Sequence, residues 1–207
     1  MAMAVTKGRF DLSGGDLALD LANTRSSRPT PEPREDLRAY EDLVAWGLEA
    51  GAIDASEAAA LRAQAARRPR AARAALARAR DVREAVFEVF SAVAGAREIP
   101  QPALDRVNAA LPGALARLRV EATGASASWR WTGSDHLDRV TWPAVRAAAL
   151  LLTAPGLAHV RECAARDCAW LFLDTSRNGT RRWCDMAVCG NREKARRFQR
   201  RTRRSRA

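Results

Sequence analysis

Long apolar runs are missing from this 207-residue chain. None exceeds six residues, as at Ala147 to Leu152, against the ~18 that a membrane-spanning helix needs. The opening MAMAVTKGRF lacks the apolar stretch of a secretory signal. A membrane partner is therefore not expected, and the expected setting is the cytoplasm. Histidine is scarce, with only His136 and His159, and no cysteine occurs in the first 162 residues. No Ser/His/Asp or Cys/His arrangement and no phosphate loop can be assembled, so an enzyme is not expected. There is no internal repeat. Aromatic residues make up only 6%, yet six of the twelve are Trp. What is present is 47% hydrophobic residues, enough for a core and too many for a disordered chain. The length suits one large domain or two small ones.

The formal net charge of +11 is unevenly placed. From His159 to Ala207 there are fourteen Lys and Arg against five Asp and Glu, a net of +9, which leaves +2 for the preceding 158 residues. The densest part holds Arg192, Lys194, Arg196, Arg197, Arg200, Arg201, Arg203, Arg204 and Arg206 against a single Glu193. Such concentration points to a polyanionic partner, DNA or RNA. The plainer alternative is a solvated basic tail.

All four cysteines share that quarter, as Cys163-x4-Cys168 and Cys184-x4-Cys189 with fifteen residues between the pairs. Two pairs on short turns form the pattern of a tetrahedral zinc site with thiolates at about 2.3 Å. The x4 gap is wider than the commoner x2. Two disulfides are the alternative, disfavoured in a reducing compartment, and a redox pair would prefer C-x-x-C. Four thiolates close the metal shell, whereas a catalytic zinc keeps a position for water. One structural Zn²⁺ is expected, with the segment's folding dependent on it. His159, four residues before Cys163, is placed to compete as a ligand or to support one.

The stretch from Cys163 to Arg192 resembles the CGNR zinc finger, with the naming motif intact as Cys189-Gly190-Asn191-Arg192. Phe172, Asp174, Ser176, Arg181, Arg182 and Trp183 also match. The phrase Gly14-Gly15-Asp16-Leu17-Ala18-Leu19-Asp20-Leu21-Ala22-Asn23-Thr24 resembles the start of the ABATE domain that commonly precedes this finger. The resemblance implies a bacterial, stress-linked transcription regulator. It divides the chain into an ABATE-like helical domain, 1–156, and a finger with its basic helix or tail, 157–207.

Periodicity predicts a mainly helical protein. Asp16 to Thr24 reads as a short amphipathic helix with Leu17 and Leu21 on one face. Ser26 to Pro33 is turn-rich, and Pro33 suits the first position of a helix to about Ala50. Asp54-x-x-Glu57 is a capping box for a helix to about Arg67. Pro69 opens a long helix to about Gly95 that buries Leu76, Val82, Val86, Phe87, Phe90 and Val93. A short helix follows over Pro102 to Leu111, then a β-hairpin over 116–132 with Trp129 and Trp131 on one face, turned to the core or, as the alternative, to a partner. A helix over Thr141 to Ala154 leads through Pro155-Gly156 directly into the finger.

In the finger, Trp170 to Leu173 suits a strand packing the finger's own core, with Trp170 and Trp183 beside it. The order of knuckle, strand, turn and helix resembles a treble clef. Gly190 allows close approach or a positive φ, Asn191 suits the N-cap, and the helix runs from Arg192 to about Arg203. Arg192, Arg196, Arg200 and Arg203 share one face, with Arg197, Arg201 and Arg204 adjoining. Phe198 is expected to pin this helix to the zinc core, and like-charge repulsion to fray its end until nucleic acid binds. Candidate nucleic-acid contacts are Arg181, Arg182, Asn191, Arg192, Lys194, Arg196, Arg197, Arg200 and Arg201. Arg192, Arg196 and Asn191 are the candidates for base edges. Arg181 and Arg182 go either to phosphate or to Asp174 and Asp185 within the finger. Asp20, Asn23 and Thr24 either line a pocket for a small-molecule effector, or simply end their helix with Asp20 exposed. The nearly neutral N-terminal part suits a sensor or a homodimer. The leading expectation is a zinc-dependent, nucleoid-associated DNA-binding regulator. The alternatives are an RNA- or ribosome-binding protein and a protein-interaction adaptor.

Overall fold

The computed structural model describes residues 8–204, apart from the side chains of Arg200, Arg201, Arg203 and Arg204. Its centre is a short helix, α1 (Leu17–Asn23), opened by Asp16, whose carboxylate accepts the Ala18 N–H at 2.8 Å. The expected single apolar face understates it. Ala18, Leu19, Leu21 and Ala22 are all fully buried, because α1 is wedged between α4 (Pro69–Ala94) and α6 (Trp142–Thr153). The stop at Thr24 is followed by a two-residue strand, β1 (Arg25–Ser26), which pairs antiparallel with β2 (Arg34–Glu35).

That pairing displaces the expected start of the next helix. α2 spans Tyr40–Glu49 and does not begin at Pro33. The reason lies in buried charge. Arg83 of α4, 2% exposed, grips Glu35 through both terminal nitrogens at 2.6 and 2.7 Å and reaches Glu84 at 2.9 Å. Arg28 also pairs with Glu84 and stacks on Phe87. Holding Glu35 there keeps residues 34–35 extended, and the Asp42 carboxylate then accepts the Ala39 N–H at 2.7 Å to open α2. α3 (Ala55–Arg67) starts as expected. Asp54 accepts the Glu57 N–H at 2.9 Å, and the Glu57 carboxylate accepts the Asp54 N–H at 3.0 Å.

α4 buries Leu76, Val82, Val86 and Phe90, together with Val89, which the periodicity did not single out; Phe87 and Val93 are only partly covered. α5 (Gln101–Leu115) passes through Pro112 and runs four residues beyond the expected end, carrying Ala114 into the core. The hairpin β3 (Leu118–Thr123) and β4 (Ser126–Trp131) forms in full register, Leu118 opposite Trp131. Its residues face solvent, however. Trp129 is 59% exposed, beneath the Arg146 guanidinium, so of its two expected places the core is overturned and the surface remains. Only Trp131 turns inward, against Trp142.

Two apolar clusters fill the body. One lies among α2, α3 and the first half of α4; the other lies among α1, the second half of α4, α5 and α6. The second does not stop at the end of α6. After a tight turn over Pro155–His159 come β5 (Val160–Glu162) and β6 (Leu171–Leu173), an antiparallel pair with Val160 opposite Leu173. Val160 and Leu171 belong to the second cluster. Among the described residues no helix is long and apolar enough to cross a membrane.

Candidate metal centre and basic helix

The β5–β6 ribbon carries a tight loop that presents Cys163 and Cys168. It is closed by Cys163 N–H to the Trp170 carbonyl at 2.8 Å and Cys168 N–H to the Ala165 carbonyl at 3.1 Å. After β6 the chain turns at Asp174. This carboxylate is buried and accepts the Ser176 N–H at 2.9 Å, the Ser176 hydroxyl at 2.5 Å and the Arg181 N–H at 2.9 Å. Those bonds, the Ser176 hydroxyl foremost, hold its pKa below the usual carboxylate range. The turn returns the chain to Cys184, and Ala164 N–H to the Arg182 carbonyl at 2.9 Å sews the return to the first loop. A wide turn over Met186–Gly190 then places Cys189 at the entrance of α7 (Asn191–Arg204).

All four thiols are buried and unbridged, with ligand atoms within 4.8 Å of one another. Cys184 lies 3.6 Å from both Cys168 and Cys189. Four thiolates at tetrahedral zinc, each about 2.3 Å from the ion, sit about 3.8 Å apart. The donor set therefore fits zinc in both geometry and chemistry, and the disulfide alternative is excluded for this arrangement. Hydrogen bonds from the Cys168 and Cys184 thiols lower the Cys163 pKa. Its sulfur in turn raises those of Cys168 and Cys184, while burial raises that of Cys189. The knot thus tolerates little negative charge until a cation enters it. His159 stays outside, exposed, and contributes only its carbonyl, to the Asp174 N–H at 2.8 Å.

The start of α7 differs from expectation at Asn191 and at Phe198. Asn191 is the first helical residue, not the cap; Asp185 caps the preceding turn by accepting the Val188 N–H at 2.9 Å, while the Asn191 amide donates to the Ala187 carbonyl at 3.1 Å. Of the two roles expected for Gly190 the structure has the close approach and not the positive φ: a Cβ there would lie 2.5 Å from the sulfur of the half-exposed Met186 side chain. Phe198 is 72% exposed and pins nothing.

The candidate cations divide into two sets. Arg192 donates to the Cys189 sulfur at 3.2 Å and pairs with Asp167 at 3.2 Å. Arg196 pairs with Asp167 at 2.7 Å and Glu193 at 2.5 Å. Arg181 stacks on Phe172 and donates to the Trp183 and Cys184 carbonyls, so neither Asp174 nor Asp185 takes its guanidinium. These three brace the metal centre. Arg182, resting on Trp183, is exposed, as are Lys194 and Arg197, with no carboxylate partner among the described residues. Arg200 and Arg201 lie on the same helix, their side chains outside the described residues. Trp170 and Trp183 pack on the cysteine cluster.

The polar trio of α1 does not simply end its helix. Asp20, expected on that reading to be exposed, is buried. It accepts the Gly14 N–H at 2.8 Å, and burial pushes its pKa up to about 6. Asn23 makes a contact that nothing local in the sequence announces. Its amide donates to the Leu171 carbonyl at 2.8 Å and its oxygen accepts the Leu171 N–H at 2.9 Å, so a side chain of α1 acts as a partner to strand β6. The Gly14 carbonyl accepts the Leu173 N–H at 2.8 Å on the same strand. The ribbon therefore faces two ways: Leu171 enters the helical body and Phe172 the cysteine knot. Thr24 bonds back to the Leu21 carbonyl at 2.7 Å.

A helical body fused through a shared ribbon to a four-cysteine, zinc-finger-type centre defines the class. The family follows from comparison with known proteins. One family model, described as "Putative stress-induced transcription regulator" (ABATE), matches residues 15–155, and the CGNR zinc finger model matches residues 159–202. The chain belongs to the ABATE family and carries a CGNR zinc finger. A comparison with curated proteins finds no match.

Proposed function

We propose that the protein is a zinc-dependent DNA-binding regulator of transcription, working at the nucleoid, in which one structural Zn²⁺ sets the position of α7. The observation that carries this reading is the division of cations at the finger. Arg181, Arg192 and Arg196 are engaged with sulfur, carbonyl and carboxylate groups, whereas Arg182, Lys194 and Arg197 project into solvent. A surface kept cationic on one side of a braced helix start suits phosphate. The zinc has no catalytic part in this reading, because four thiolates leave no position for water.

Duplex binding measured against salt tests the reading. About five phosphate contacts give a slope of log K on log salt of roughly −4 to −5. Replacing Lys194 and Arg197 together by Ala should lower that slope by about two and leave zinc content intact. Arg192→Ala should instead weaken the metal centre. Salt-independent binding, or none to duplex DNA by the zinc-loaded protein, would refute the proposal. Tighter binding to structured RNA in direct competition would move the target to RNA.

A further inference from the structure

The hairpin of β3 and β4 stands out from the helical body. Every residue from Arg119 to Arg130 is exposed, and neither strand packs broadly on any element except the other. Its anchor is at the base, where Trp131 meets Trp142. One face carries Leu118, Val120 and Ala122 opposite Trp131, Trp129 and Ala127, and Val120 and Trp129 are each 59% exposed. A lone two-stranded ribbon with an uncovered apolar face is marginal in water. Its edges are open as well. Proline and bulges commonly blunt an edge strand, yet the ladder is regular and neither strand contains a proline. The ladder also fixes where the free backbone groups point. Thr132 N–H bonds to the Arg117 carbonyl at 2.8 Å, so the alternate pairs above it, Arg119 with Arg130 and Glu121 with Ser128, are the hydrogen-bonded ones. Leu118, Val120 and Ala122 therefore aim their N–H and C=O groups away from β4. The Leu118 carbonyl takes the Arg119 guanidinium of its own strand at 2.9 Å.

We propose that the free edge of β3 is a homodimer interface: β3 pairs antiparallel with β3 of a second copy, Val120 opposite Val120, to make a four-stranded sheet. The charge pattern selects both the partner and the register. A two-fold axis on Arg119 or Glu121 would set a charge against itself. On Leu118 it would set Arg117 against Arg119, and on Ala122 it would place Val120 opposite Gly124 of the turn. On Val120 the strand pairs along its length. Leu118 meets Ala122, and Arg119 meets Glu121 of the second copy, once on each side of the axis. Those charges fall at non-hydrogen-bonded pairs, where opposing side chains come closest. The strand is thus its own complement, as a two-fold interface requires. β4 is not, since centring it on Trp129 sets Arg130 against Ser128. The same axis keeps both apolar faces on one side, so Val120 and Trp129 of the two copies form a continuous surface. An edge junction covers less than the ~1,200 Å² of a standard interface, so a dissociation constant on the order of 10 µM is expected. In the regulator proposed above the pair carries two basic helices, but the interface does not rest on that reading.

The test is sedimentation equilibrium of the zinc-loaded full chain from about 1 to 500 µM, a range that brackets the expected constant. A monomer–dimer equilibrium is expected. Val120→Pro removes an outward N–H that β4 does not use and should weaken pairing about tenfold or more with the circular dichroism unchanged. Arg119→Glu sets like charges at both sites, and so does Glu121→Arg. Each should weaken self-pairing about tenfold, because two attractive pairs become repulsive together. Mixed one to one, the two charge variants complement each other at both sites and should form a heterodimer about as tight as the parent dimer. Mixing would not rescue a misfolded chain, and the rescue reads the Val120 register specifically. A chain monomeric over the whole range, a dimer indifferent to Val120→Pro or to either charge reversal, or variants that mixing fails to rescue would each overturn the proposal. None of these measurements involves DNA, so failure here is separate from failure of the regulator reading.

Discussion

The Asn23 bond to Leu171 can be broken with one substitution. Asn23→Ala removes two hydrogen bonds of 2.8 and 2.9 Å from a place where Asn23 is 3% exposed and Leu171 is fully buried. Both Leu171 backbone groups are left without partners, and each such group costs about 1–3 kcal/mol. The expected loss is therefore about 2–6 kcal/mol, a large share of the roughly 5–15 kcal/mol that holds a typical domain. Asn23→Asp is the sharper companion. It keeps an acceptor for the Leu171 N–H but turns a second oxygen toward the Leu171 carbonyl, so at neutral pH it should cost at least as much. Urea unfolding followed by circular dichroism gives the energy, and amide exchange at Leu171 and Leu173 gives the location. Zinc release to a chelator should also quicken, because Phe172, the neighbour of Leu171, packs on the cysteine knot. A loss under about 0.5 kcal/mol with unchanged protection at Leu171 would show that the two parts are not held by this bond.

Three further outcomes are expected. Cys184→Ser should lower zinc content and also the melting temperature of the helical body, since Val160 and Leu171 sit in that body's core; an unchanged melting curve in a metal-free variant would deny the metal a structural role. Arg83→Met leaves Glu35 only Arg80 at 3.8 Å and the Leu37 N–H, and should cost about 1–3 kcal/mol, read as a lower urea midpoint at constant slope. Asp20 has its pKa raised to about 6 by burial, against about 3.9 unfolded, so the folded state holds the proton more tightly and stability falls as pH rises from about 4 to 6. Asp20→Asn keeps an acceptor for the Gly14 N–H. It should raise stability at pH 7 by up to about 3 kcal/mol and remove that pH window's contribution; an identical pH profile would refute the assignment.

Legibility in the sequence followed the range of the interaction. Asp54 with Glu57 announced α3 because a capping box is written within four residues, and Pro69 announced α4 for the same reason. The cysteine knot was legible because metal ligands need a fixed residue type and two short gaps. The start of α2 was not legible. It depends on Arg83 holding Glu35, 48 residues away, and this contact overrode a proline that locally favoured a helix. Trp129 misled because alternation marks a face of a ribbon without saying what covers it. Phe198 misled for a related reason: a lone apolar residue on a charged helix gives no partner's address. The Asn23–Leu171 pair spans 148 residues, and its only trace in the sequence is a polar residue at the end of a mostly apolar helix.

That pair changes what the finger is. Treated as a separate bead, the segment after residue 157 would need its own core, yet the described structure offers it little more than Phe172, two tryptophans and four sulfurs. A unit that small depends on its metal and on its neighbours. Here the neighbour is α1, which supplies Asn23 to one end of β6 and follows directly on Gly14, whose carbonyl takes the other end. The same strand passes Phe172 to the knot, and the knot fixes the first turn of α7 through Cys189 and its arginine partner. The route from the buried body to the exposed cations is therefore short and made of rigid pieces: α1, β6, the sulfur cluster, α7. In the regulator proposed above, a change in how α1 meets β6 would reach the first turn of α7 through Phe172 and the sulfur cluster.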